Sequence, residues 1–259
     1  MYELLKYEKE APLAFVTINR PDVMNALSNA LVEELAQVFS EVWKDDEVRV
    51  LIITGEGSKA FMAGADIKEV QERDFVLGRE QTRRRQEVFN MLYEMPKPSI
   101  AAINGFALGA GLEMAIACTF RIASDNAKFG SPEINLAIIP GDGATQRLPR
   151  IIGQGRAMDM ILTGKMIDTD EAYNCGLISK VVTPEELMDE VKKLANTLAS
   201  KSPLALQYAK EAVNRSLEVG LYEGMAHESY LHALACASED KKEGVAAFLE
   251  KRKGEFKGK

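Results

Sequence analysis

Histidine is nearly absent from this 259-residue chain: only His227 and His232 occur, five residues apart and so not stacked on one helix face. That scarcity argues against a histidine-based metal centre and against a Ser–His–Asp triad. Cysteine is sparse as well. Cys118, Cys175 and Cys236 form neither a CxxC pair nor a paired framework, and are expected to be reduced, buried thiols of a cytoplasmic protein. An excess of positive charge is also missing, since 32 Lys and Arg face 39 Asp and Glu for a net charge of −7. A field of that sign opposes broad binding to nucleic acid or to an anionic membrane, and an anionic ligand would need locally placed Lys or Arg. Neither a GxSxG elbow nor a GxxxxGK[ST] phosphate loop is present. GEGSKA at 55–60 fits a loose dinucleotide pattern, but FMAGAD follows it where that site needs a helix start. The N-terminal MYELLKYEKE lacks the apolar core of a secretory signal.

Long hydrophobic runs are limited to Ser99–Phe120, which holds Gly105 and Gly109 at GxxxG spacing. Pro96 and Pro98 precede the run and Glu113 sits inside it, so a buried strand, turn and helix is expected and no membrane span: SIAAI as strand, GLEMAIAC as helix. The composition, 46% hydrophobic and 27% charged, suits a globular protein able to bury a large core. LAFVTINR reads as a strand, Ser28 as the cap of a helix to Trp43, and Leu31, Leu35, Val38, Phe39 and Val42 as one helical face. VRVLIITG predicts a strand buried on both sides, GEGSKAFMAGAD a loop, and the RRR run at 83–85 a solvated helix face. Residues 127–153, mixing short apolar runs with Pro and Gly, predict a turn-rich segment walling a pocket. After Thr183 only helical periodicity remains, in EELMDEVKKLANTLA, LALQYAKEAVNRSLEVG and EGVAAFLEKRK. The expected architecture is an α/β core over 1–195 and a helical region over 196–259.

The chemistry left to such a chain is that of carboxylates. Glu113 in LGAGLEMAIAC and Glu133 in FGSPEINLAII both have apolar neighbours, and desolvation there would raise their pKa values. Two such carboxyls around one pocket can divide the work of base and acid. A glutamate that caps a helix or neutralises Arg121 or Arg147 fits the same residues, and on chemistry alone the readings stand level. AGAD at 63–66 and LGAG at 108–111 are small-residue turns entering helices, whose open N–H groups could form an oxyanion hole or could simply allow close packing.

Together these segments resemble the crotonase, or enoyl-CoA hydratase/isomerase, family. INRPDVMNALS, KAFMAGADIKE, KPSIAAINGFALGAGLEMAIAC, FGSPEINLAIIPGDGATQRLPR, LTGKMIDTDEAYNCGLISKVV and FLEKRKGEF occur in family order across nearly the whole chain. The resemblance implies repeated ββα units, a helical C-terminal region that forms trimers paired into hexamers, and an acyl-CoA thioester substrate. It places Ala65 and Ala110 as the oxyanion N–H donors, Glu113 as the base on water and Glu133 as the acid toward Cα. It implies a substrate-binding set of Ala63, Ala65, Asp66, Ile67, Lys68 and Gly141, and neither a metal nor a redox cofactor, coenzyme A being part of the substrate. Lys59 and the basic tail 251–259 are further candidates for its phosphates. Isomerases of the family commonly lack one of the two glutamates, so having both favours a hydratase. Other acyl-CoA reactions on the fold and a non-catalytic RNA-binding relative remain alternatives. Asp142 and Ala144 in PGDGATQ depart from the usual PGAGGTQ: an Asp there narrows the pocket, binds a polar acyl group or faces a neighbouring Arg.

Overall fold

The computed structural model describes residues 2–259. An antiparallel hairpin, β1 (Leu5–Glu10) and β2 (Leu13–Ile18), leads into α1 (Asn29–Lys44). A unit then repeats, giving one strand to a large sheet, a short strand to a smaller sheet, and then helix. β3 (Val50–Gly55), β4 (Ala60–Ala63), α2 (Ile67–Gln71) and α3 (Phe75–Glu94) make the first unit. β5 (Ser99–Ile103), β6 (Phe106–Leu108) and α4 (Ala110–Ala117) make the second. β7 (Phe120–Ser124) and β8 (Lys128–Gly130) open the third, with a 3₁₀ turn at Pro132–Leu136, then α5 (Ala144–Ile152) and α6 (Gln154–Thr163). β9 (Met166–Ile167), α7 (Thr169–Asn174) and β10 (Lys180–Val182) finish the sheets. α8 (Leu187–Ala199), α9 (Pro203–Arg215), α10 (Leu221–Ala237) and α11 (Glu239–Leu249) follow. The large sheet runs β1-β2-β3-β5-β7-β10 and the small one β4-β6-β8-β9. This is the expected repeated ββα core with helices alone at its end.

Local chemistry explains the main elements. Ser28 caps α1 by accepting from Leu31 N at 3.2 Å, and the predicted apolar face of that helix is fully buried. In β3, Leu51 and Ile53 enter the main core while Val50 and Ile52 enter a second one on the opposite face of the sheet. Leu187, Val191, Ala195 and Ala199 of α8 cover that second face, so α8 continues past residue 195 as part of the core packing. Asparagine amides tie the turns between the sheets: Asn104 Nδ2 donates to Gly55 O and Gly57 O, and Asn25 Nδ2 to Ala60 O.

Three local expectations are corrected. The stretch read as a loop, GEGSKAFMAGAD, contains β4, and β6 lies in the turn after SIAAI; strands of four and three residues are too short to show a period of two. The RRR run is not wholly solvated, because Arg85 is 2% exposed. Cys118 and Cys175 are buried, but Cys236 is exposed on α10. The apolar run Ser99–Phe120 is resolved into β5, β6 and α4, and no helix among the described residues is long and apolar enough to cross a membrane.

Candidate active site

Where the first two units meet, the backbone leaves little room for side chains. Gly109, at φ 52°, turns the chain from β6 into α4; a Cβ there would stand 2.9 Å from Glu133 Oε1 and 3.5 Å from Gly64 Cα. Two residues on, a Cβ on Gly111 would stand 1.9 Å from Met62 O, so α4 enters hard against β4. Every residue of α4 is buried, and its polar member is Glu113.

Burial dominates the electrostatics of Glu113. It pushes the carboxyl up to about 8, reinforced by the charges of Asp142 and Glu133. Two backbone donors on one oxygen oppose this: Asp142 N and Ala144 N reach Glu113 Oε1 at 2.8 and 2.9 Å. Oε2 is left for other partners. Glu133 sits in the 3₁₀ turn after Pro132, where burial raises its pKa and the Asp142 charge adds to the rise. Its Oε2 is buried with no hydrogen-bond partner. Neither Arg121 nor Arg147 bonds directly to either glutamate; Arg121 donates to Leu177 O and Cys118 O, Arg147 to Asp142 O and Asn90 Oδ1.

Both glutamates face one cavity of about 160 Å³. Gly64, Ala65, Gly109 and Ala110 wall it on one side, and neither Ala65 N–H nor Ala110 N–H donates to another backbone group among the described residues. Such N–H groups beside a helix start are ready donors to a developing oxyanion. Ala63, Ile67 and Gly141 also line the cavity. Asp66 and Lys68 do not: Asp66 caps α2 and pairs with Arg20 at 3.0 Å, which lowers its pKa, and Lys68 points to solvent. The segment 127–153 does wall a pocket, supplying Pro132, Leu136, Ile138 and Ile139 besides the glutamate. A larger cavity, about 840 Å³, is a gap between the core and α9, lined by Tyr93, Arg147 and Lys210, and it shares Asp142 with the first. The basic tail is folded back on α11, where Lys257 N and Gly258 N donate to Asp240.

Two charged lining residues had not been expected: Arg73 and Arg85. Arg85 Nη1 lies 4.0 Å from Asp142 Oδ2, Nη2 lies 3.6 Å from Glu69 and donates to Asn29 Oδ1, and Asp142 is itself 4% exposed. The signal for Arg85 was in the spacing, since 85, 88, 89 and 92 share one helical face with buried Val88, Phe89 and Leu92.

The family model described as enoyl-CoA hydratase/isomerase matches residues 8–259. The chain belongs to that family. Among its relatives, the crotonyl-CoA hydratase of Syntrophomonas wolfei is 48% identical over 98% of both chains. The short-chain-enoyl-CoA hydratase of Clostridium acetobutylicum is 46% identical over 95% of this chain and 94% of its own. The crystal structure of enoyl-CoA hydratase from Bacillus anthracis superposes with a TM-score of 0.96 at 39% identity, covering 99% of this chain and all of that one. The ββα units and the helical end are therefore those of the enoyl-CoA hydratase/isomerase fold.

Proposed function

We propose that this chain is an enoyl-CoA hydratase, a hydro-lyase that adds water reversibly across the 2,3 double bond of a 2-enoyl-CoA to give a 3-hydroxyacyl-CoA. The observation that carries this reading is the pair of buried glutamates, both with raised pKa values, in one small cavity beside two open backbone N–H groups. Ala65 and Ala110 N–H hold the thioester oxygen as negative charge moves onto it. Glu113 Oε2 takes a proton from water as the water oxygen bonds to C3, and Glu133 gives its proton to C2. Fixing Glu113 Oε1 with two backbone donors aims the other oxygen at the water without removing its basicity. Ala63, Ile67 and Gly141 line the cavity and are the assigned contacts for the rest of the thioester. Asp66 acts by capping α2, and the exposed Lys68 is assigned to the phosphates of coenzyme A. No metal or redox group takes part, and coenzyme A enters with the substrate. An acidic net charge speaks against a nucleic-acid-binding role. The exposed apolar side chains of α10 and α11 favour a hexamer of paired trimers, and unpaired thiols favour a cytoplasmic setting.

The test is hydration of an enoyl-CoA followed by loss of its conjugated ultraviolet absorbance. Glu113→Gln and Glu133→Gln keep size and hydrogen-bonding capacity but cannot exchange protons. Each should lose at least about a hundredfold in rate with substrate binding largely kept, and the double variant should lose less than the product. An isomerase would keep most activity in one of the two. Near-wild-type hydration in either variant would defeat the two-carboxylate mechanism.

A further inference from the structure

The cavity has two distinguishable ends. Glu133 adjoins the Gly64–Gly109 junction, with the Ala65 and Ala110 N–H groups on that side. Glu113 adjoins Asp142, whose own N–H it accepts, and beyond Asp142 stands Arg85. An acyl group whose carbonyl is held at the first end, and whose C2 and C3 lie between the glutamates, points its remaining carbons at that ion pair. Both partners are almost wholly buried, at 2% and 4% exposure. Arg85 Nε and, beside it in the lining, Arg73 Nη2 are buried donors with no acceptor.

We infer that the buried Arg85–Asp142 pair closes the far end of the acyl pocket and restricts this protein to short 2-enoyl groups. The inference rests on the hydratase reading and names the substrate class for it. Size is the first argument. A dry cavity of about 150 Å³ admits benzene, so the space here, about 160 Å³, suits a group of roughly six heavy atoms. Polarity is the second. A longer alkyl tail must press methylenes against a guanidinium and a carboxylate, groups that a polar neighbour can serve and a methylene cannot. The same surroundings disfavour an acyl group with an anionic end. Arg85 already has Glu69 at 3.6 Å and Asp142 at 4.0 Å, and such an end would meet Asp142, Glu113 and Glu133 as well. The pair is a wall and not a receptor.

Two measurements test this. On the wild-type protein, inhibition by saturated acyl-CoAs should be no tighter for octanoyl-CoA than for butyryl-CoA, whereas an open apolar pocket would tighten with each added methylene. In the double variant Arg85→Ala/Asp142→Ala, neither charge is left buried without its partner, and residue 142 keeps the N–H that holds Glu113. The ratio of kcat/KM on trans-2-octenoyl-CoA to that on trans-2-butenoyl-CoA should rise about tenfold or more over wild type. An unchanged ratio in a folded double variant overturns the inference. So does octanoyl-CoA binding tenfold tighter than butyryl-CoA, a result that needs no variant to fold. Preference of the wild type for a carboxylate-ended enoyl-CoA over trans-2-butenoyl-CoA by tenfold also overturns it, making the pair a recognition site. Failure to hydrate any enoyl-CoA would instead defeat the hydratase reading itself.

Discussion

At the scale of residues, the site is three carboxyls sharing one buried space, and pH is the direct probe of them. Burial pushes Glu113 up to about 8 and Asp142 up to about 6, and raises Glu133 as well. In the proposed mechanism, hydration uses the state with one proton on the glutamate pair, Glu113 ionised and Glu133 protonated, whichever of the two holds the proton in the resting enzyme. A plot of kcat/KM against pH should therefore be a bell. Its alkaline limb should lie near 8 and its acid limb above the ordinary carboxylate range. A profile flat from about pH 5 to about pH 9 would contradict this assignment. The same shift has a thermodynamic face. The folded protein holds a proton on Glu113 between the ordinary 4.5 and about 8, where the unfolded chain has lost it. Stability therefore falls as pH rises through that window. Glu113→Gln removes the effect, so the variant should melt above wild type near pH 8.5 and close to it near pH 4, about half a unit outside the window on either side. Glu113 and Glu133 were legible in the sequence because apolar neighbours announce desolvation. Arg85 was legible only in its spacing with Val88, Phe89 and Leu92, a signal that the two arginines before it mask.

At the scale of elements, the α4 entry carries the geometry, and two glycines separate a required absence of side chain from an incidental one. Gly111→Ala puts a methyl 1.9 Å from Met62 O, which α4 can relieve only by shifting away from β4 and taking Glu113 with it. Overpacking of this kind costs about 1–3 kcal/mol, and the shift should lower hydration by more than tenfold. Gly155 near the start of α6 has open space around its Cβ position and no positive φ, so Gly155→Ala should stabilise by about 0.4–1 kcal/mol without touching activity. Paired thermal melts and rates check both. The long elements were legible because α1 and α8 have a helical apolar period and β3 an unbroken apolar run. β4 and β6 were hidden because such short strands are defined by their partners across the small sheet, not by their own residues.

At the scale of the whole molecule, the helical end is the part with the most apolar surface in water. α9 has no buried residue and α10 only Leu231, while Leu221, Tyr222, Tyr230, Phe248 and Leu249 are each at least 73% exposed. Side chains of that size in water are the ground for the proposed assembly, since a contact with another chain would cover them. Light scattering at micromolar protein should give the mass of a trimer or hexamer, and a concentration-independent monomer would rule the assembly out. The sequence could indicate apolar excess in these helices but not its arrangement, since residues facing a partner and residues facing a core obey the same period. One detail of the site bears on how such a scaffold changes over generations. Glu113 is steadied by the main chain at positions 142 and 144, not by their side chains. Any residue but proline can stand at 142 and still supply that N–H, so a lineage can exchange the side chain that meets the substrate while inheriting the proton-transfer apparatus unaltered.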